Sequence, residues 1–197
     1  MMAGHPNDAS PLSLRNLPFA IQVGGNDAAY NRNKIGAEWG KKLDDLQKND
    51  PGGYKHFTEI HAGKPHWMDM EDKKAIPWME QYTRVALPEK VVWRQSGRTH
   101  SRFYWLAMPK EEAKGGKLIV AERAGQTISL SSTNVHAITV LLNDQMLDLD
   151  EPVEIKAGEN KLFSDRATRT IGTLARTLTE RSDTNLTFSA EVAVKLP

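Results

Sequence analysis

The chain contains no cysteine, which removes disulfides, thiolate metal ligands and thiol nucleophiles together. It has no apolar run approaching the length of a membrane span. Met1–His5 lacks the make-up of a signal peptide, so any export signal is expected upstream. A charge excess is also missing: 26 Lys and Arg stand against 25 Asp and Glu, a net +1. A polyanion-binding surface leaves a larger basic excess, so nucleic acid is not an expected partner. There is no internal repeat and no low-complexity tract. What is present, 39% hydrophobic and 26% charged residues over 197 positions, suits a folded protein with one large or two small cores.

The first ~85 residues read as strand–loop–helix units. Leu17–Val23 is a short apolar run ending at Gly24-Gly25, the pattern of a buried strand that stops at a tight turn. Ile35, Trp39, Leu43 and Leu46 then share one helical face; Asn31 or Asn33 can cap its start, and Asp50-Pro51-Gly52-Gly53 stops it. Tyr54–Ile60 reads as a second strand, and Glu71–Arg84 as a second helix broken near Pro77. This alternation is α/β grammar.

After Pro88 the pattern changes to short β-rich runs: Lys90–Arg94, Arg102–Met108, Lys117–Glu122, Thr127–Ser131, Ala137–Leu142, Val153–Ile155 and Thr187–Lys195. Asn143-Asp144 and Ala157-Gly158-Glu159-Asn160 have hairpin-turn chemistry. A single helix is expected at Thr170–Arg181, with Ile171, Leu174, Ala175 and Leu178 on one face. The expected fold is therefore α/β over 1–87 followed by an all-β, β-sandwich-like domain with one helix over 88–197.

Two loops in the first half carry chemistry. The first strand runs into Gly24-Gly25-Asn26-Asp27, and the second into Gly63-Lys64-Pro65-His66-Trp67. Sites in open α/β sheets form at the carboxyl ends of strands, so adjacent strands would bring Asp27 and His66 together across the sequence. A histidine acting as general base needs one ring nitrogen free, and a carboxylate on the other fixes its tautomer. Acid before histidine, each on a loop after a strand, is one known order for such a pair.

The segments MMAGHP (Met1–Pro6), Leu17–Asp27 with AAYNRN (Ala28–Asn33), and GKPHWMD (Gly63–Asp69) resemble the last third of bacterial serine α/β-hydrolases. These are esterase, depolymerase and prolyl-oligopeptidase-like enzymes, many of them exported. Ala137–Asp150 with Arg169–Asp183 is similar to the β-rich extension that some members carry. The resemblance implies a partial α/β-hydrolase sheet with Asp27 as triad acid, His66 as general base, and Asn26, Tyr30 and Trp67 beside a small ester substrate. It implies no cofactor and no metal. Relatives more often have glycine where this chain has Pro65, which stiffens the histidine loop.

The departure is the nucleophile. No G-x-S-x-G occurs, and Ser10 and Ser13 lie in a Pro-flanked loop rather than on a strained elbow. Met1–Pro6 resembles the end of the strand that follows the elbow helix. The implied partner is thus an N-terminal hydrolase half carrying the serine, encoded upstream or supplied by a separate chain. Alone, this chain is expected to be inactive.

Plainer readings stand beside these. Gly-Gly-Asn-Asp is also ordinary turn chemistry. His56, His61 and His66 recur every five residues, but a strand sends the first two to opposite faces, which argues against a metal site. Trp39, Trp78, Trp93 and Trp105 have core spacing rather than that of a sugar-binding platform. The alternative function is a non-catalytic module that binds carbohydrate, peptide or a partner protein. A hydrolase sheet lacking its central strands would leave a sheet edge unpaired and an apolar face uncovered. Met1–Arg84 is therefore predicted to self-associate, or to exchange its amides faster than the β-rich half; uniform protection in a monomer contradicts this.

Overall fold

A computed structural model describes residues 10–197. Met1–Pro6, read above as the end of a strand, lies outside the described residues. The chain forms two compact units, 1–85 and 86–197. Among the described residues there are three helices and mostly strands, arranged in three sheets, a mixed α/β and β-rich architecture.

The first unit is a β-α-β crossover. Strand β1 (Phe19–Gly24) leads through a loop to helix α1 (Arg32–Asn49) and then to β2 (His56–His61). The two strands pair in parallel, from Phe19 opposite His56 to Gly24 opposite His61, so both end together. β1 begins at Phe19 rather than Leu17 because Pro18 has no N–H to give the ladder. β2 begins at His56 because Tyr54 takes a positive φ of 54° and turns into the core. There it joins Ile21, Trp39 and Leu43. Burying a side chain such as Leu43 stabilises by roughly 1.5–3 kcal/mol. Gly36 and Gly40 let α1 approach closely: an added Cβ would lie 2.8 Å from Val23 Cγ1 and 2.7 Å from Thr58 Cγ2.

The helix expected over Glu71–Arg84 is shorter. A 3-10 turn at Glu71–Lys74 passes into α2 (Ala75–Met79). Pro77 sits in the first turn of α2, where a missing N–H is tolerated. Asn31 has a left-handed backbone and makes no side-chain cap, so the start of α1 is not secured as expected.

The second unit has a five-stranded and a four-stranded sheet. Its strands are β3 (Lys90–Arg94), β4 (Arg102–Phe103), β5 (Leu106–Ala107), β6 (Leu118–Ala124), β7 (Thr127–Thr133), β8 (Ala137–Leu142), β9 (Val153–Ala157), β10 (Asn160–Asp165) and β11 (Ala190–Lys195). The spatial orders are β10-β9-β7-β6-β3 and β11-β8-β5-β4. Both sheets contribute to one apolar core, with Val91, Ile119, Ile128 and Ile155 from the first and Leu106, Val140, Leu142 and Val192 from the second. β11 alternates cleanly, burying Ala190, Val192 and Val194.

Four expectations change here. Arg102–Met108 is not one strand: Tyr104 has φ 52°, and the chain reverses around it and the fully buried Trp105. β10 escapes sequence reading because it is a polar edge strand without alternation. Asn143-Asp144 is not a hairpin turn, since β8 and β9 lie in different sheets. Arg169 holds that connection through Asp144 and Asp150. The Gly158-Glu159 link, by contrast, does join an antiparallel pair, with Gly158 at φ 57°.

The fourth change is the orientation of helix α3 (Ile171–Arg181). Thr173 and Thr177 are buried, while Ile171 is 85% exposed and Leu174 and Leu178 also face solvent. The threonine face goes inward because its hydroxyls have partners. Phe188 N–H donates to Thr177 Oγ1 at 3.0 Å, and that hydroxyl reaches Phe188 O at 3.1 Å. Thr177→Val is predicted to destabilise the second unit by about 1–3 kcal/mol by stranding those backbone groups. Ile171→Ser should change it by less than about 0.5 kcal/mol. Urea unfolding checks both, and the reverse ranking contradicts this orientation.

Candidate functional site

Because β1 and β2 are parallel and in register, the loops that leave them start side by side. Hydrogen bonds tie the first of these loops to the end of β2 and to the loop that follows it. Gly25 N–H donates to His61 O at 2.8 Å, Asn26 N–H to Lys64 O at 2.9 Å, and the Asn26 side-chain amide to Gly63 O at 3.1 Å. Gly24 makes the approach possible: a Cβ there would lie 2.0 Å from Pro65 O and 2.5 Å from Lys64 O. Both obstacles are backbone, so neither can swing away. Beyond the histidine, Met68 is buried and anchors the loop, and Lys64 pairs with Asp69 at 2.9 Å.

This packing brings Asp27 and His66 together. His66 Nδ1 lies 2.7 Å from Asp27 Oδ2. Asp27 is only 4% exposed, whereas His66 is exposed. Among the described residues nothing is bonded to His66 Nε2. Phe19–Val23 of β1, with Gly36 and Met68, line a small crevice that Asp27, Arg32 and His66 also line. Five consecutive strand residues can line one crevice only along the strand's edge.

Arg32 was not foreseen at this site. Its Nε donates to Asp27 Oδ2 at 2.8 Å and its Nη2 to Oδ1 at 2.6 Å. This fork, opposed by burial and aided by His66, holds the Asp27 carboxyl down at about 2. A signal for Arg32 did exist. It is the first residue of α1, where a cation opposes the helix dipole and needs a reason to be there.

The other three candidates do not line the crevice. Asn26 ties the two loops together. Tyr30 is 82% exposed with the Arg32 guanidinium 5.6 Å from its ring, and Trp67 is 72% exposed. Ser10 is the cap of a 3-10 turn at Pro11–Leu14, accepting from Leu12 N–H, and not a strand-to-helix elbow.

The other two described histidines of the first unit have separate partners. His56 lies between Tyr54 O and Asp44, and His61 bonds Gln22 at 2.8 Å. Among the described residues no three His, Cys, Asp or Glu side chains cluster to hold a metal. Trp39, Trp93 and Trp105 are buried, and Trp78 is half-buried between Phe57 and Tyr82. No described helix is long and apolar enough to cross a membrane.

No family model, curated protein or solved structure matches the chain.

An Asp whose pKa falls from 3.8 to about 2 on folding adds stability above about pH 4 that is lost as pH drops through 2. Hydrogen exchange of α1 amides should therefore accelerate across that window, and Asp27→Asn should remove this part of the acid response. An equal acid slope in both proteins contradicts it. Gly24→Ala should force the loops apart at a cost of about 1–3 kcal/mol, with faster exchange of the Asn26 amide. An unchanged Asn26 amide would mean that the contact is not tight.

Proposed function

We propose that this chain supplies the acid and the base of a serine-type hydrolase acting on a small carboxylic ester. The nucleophile comes from outside these 197 residues, which contain no G-x-S-x-G. The observation that carries this reading is the 2.7 Å contact between His66 Nδ1 and a buried Asp27, with the histidine side chain itself about half exposed.

His66 acts twice in each half-reaction, first as base and then as acid. As the serine oxygen attacks the ester carbonyl, its proton passes to His66 Nε2, and Asp27 stabilises the imidazolium. His66 returns the proton to the departing alkoxide. Water then repeats the sequence on the acyl-enzyme, releasing the carboxylic acid. Asn26 holds the two loops in place, and Tyr30 and Trp67 are the exposed rings nearest in sequence to the pair that can meet the substrate.

The free side of β1 supports the same reading. Among the described residues β1 pairs with β2 alone, and the crevice is lined by β1 and the Asp27–His66 pair but by no residue of β2. Two parallel strands are too few to make a stable sheet by themselves. A further parallel strand on that edge would deliver its own carboxyl-end loop to the same place.

The test joins this chain to the stretch encoded immediately upstream and follows p-nitrophenyl butyrate hydrolysis. The prediction is a G-x-S-x-G in that stretch, no turnover by the present chain alone, and turnover by the joined protein. His66→Ala should lower that turnover by on the order of a thousandfold or more. An upstream stretch without the motif, or turnover indifferent to His66→Ala, overturns the proposal.

A further inference from the structure

Arg32 stands where elementary electrostatics disfavours it. It opens α1, whose first turn has no acidic residue, at the positive end of the helix dipole. What it meets there is a carboxylate, at two points: Nε to Asp27 Oδ2 at 2.8 Å and Nη2 to Oδ1 at 2.6 Å. The arginine side chain is largely shielded, and its guanidinium lies 5.6 Å from the Tyr30 ring centre.

Two parallel N–H···O bonds from a planar guanidinium bring the carboxylate into the guanidinium plane. The last torsion of an aspartate is otherwise soft, with a broad range of angles. The fork removes that freedom. It also engages one acceptor position on Oδ2, and His66 Nδ1 takes another at 2.7 Å. The backbone assists, since Asn33 N–H donates to Asp27 O at 3.1 Å and the Asn33 amide to Gly25 O at 2.8 Å.

We propose that Arg32 is a positioning residue for His66. It locks the plane of the Asp27 carboxylate so that Oδ2 accepts from Nδ1–H, which leaves Nε2 as the unprotonated, outward nitrogen. This rests on the reading of Asp27 and His66 as acid and base. A salt bridge serving only to fasten α1 would leave the ring's tautomer alone.

The test is nitrogen-15 spectroscopy of the His66 ring in the full chain, at a pH where the ring is neutral. Parent, Arg32→Lys, Arg32→Met and Asp27→Asn are compared. The parent should carry its proton on Nδ1. Lysine keeps the charge but cannot form the fork, so both Arg32 variants should shift to the Nε2–H form that a histidine free in water prefers. Arg32→Lys with the parent's tautomer overturns the proposal, and it decides the matter even where Arg32→Met fails to fold. Asp27→Asn separates the two ideas. If it shifts the tautomer while Arg32→Lys does not, the role of Arg32 falls and the pair stands. If it shifts nothing, the pair itself falls.

Discussion

The first unit depends on one close contact: the backbone of Gly24 against the backbone of Lys64 and Pro65, with no room for a side chain between them. Everything at the site follows from it. Parallel pairing in register starts the two loops side by side, and the hydrogen bonds of Asn26 then join them. The buried acid and the exposed imidazole are held at hydrogen-bond distance by backbone geometry, in a chain with no cysteine to form a disulfide between the loops. Pro65 adds to this, since its fixed φ limits how far the histidine loop can relax.

Electrostatics supplies a second layer. Asp27 is almost fully buried, and a lone carboxylate there would tend to take up a proton. The Arg32 fork reverses that tendency and keeps the group anionic far below neutral pH. Part of the carboxylate's charge is therefore engaged before any imidazolium forms. The same contact settles an arginine at the positive end of a helix. Local helix chemistry and the candidate site are thus coupled through a single ion pair.

Much of the first unit was legible because its elements carry strong local signals. The face of Ile35, Trp39, Leu43 and Leu46 and the glycine turns after both strands follow from period and turn chemistry. Asp27 and His66 could be placed at the strand ends. Arg32 could not be paired with Asp27, because nothing in a residue string says which way a loop folds back on its own acid. The second unit was legible as β-rich, yet α3 went in with its other face inward. Periodicity located an apolar stripe, but the buried threonines had their hydrogen bonds met by Phe188, a partner eleven residues from Thr177. β10 gave no periodic signal, and Tyr104 reversed the chain within a run that read as continuous strand.

The proposed function requires that Asp27 and His66 share a hydrogen bond in this chain as it stands. The most direct measurement is the proton resonance of His66 Nδ1–H at low temperature. A slowly exchanging, strongly downfield signal is expected in the parent and absent from Asp27→Asn. A parent spectrum without that signal, or one that Asp27→Asn leaves unchanged, contradicts it.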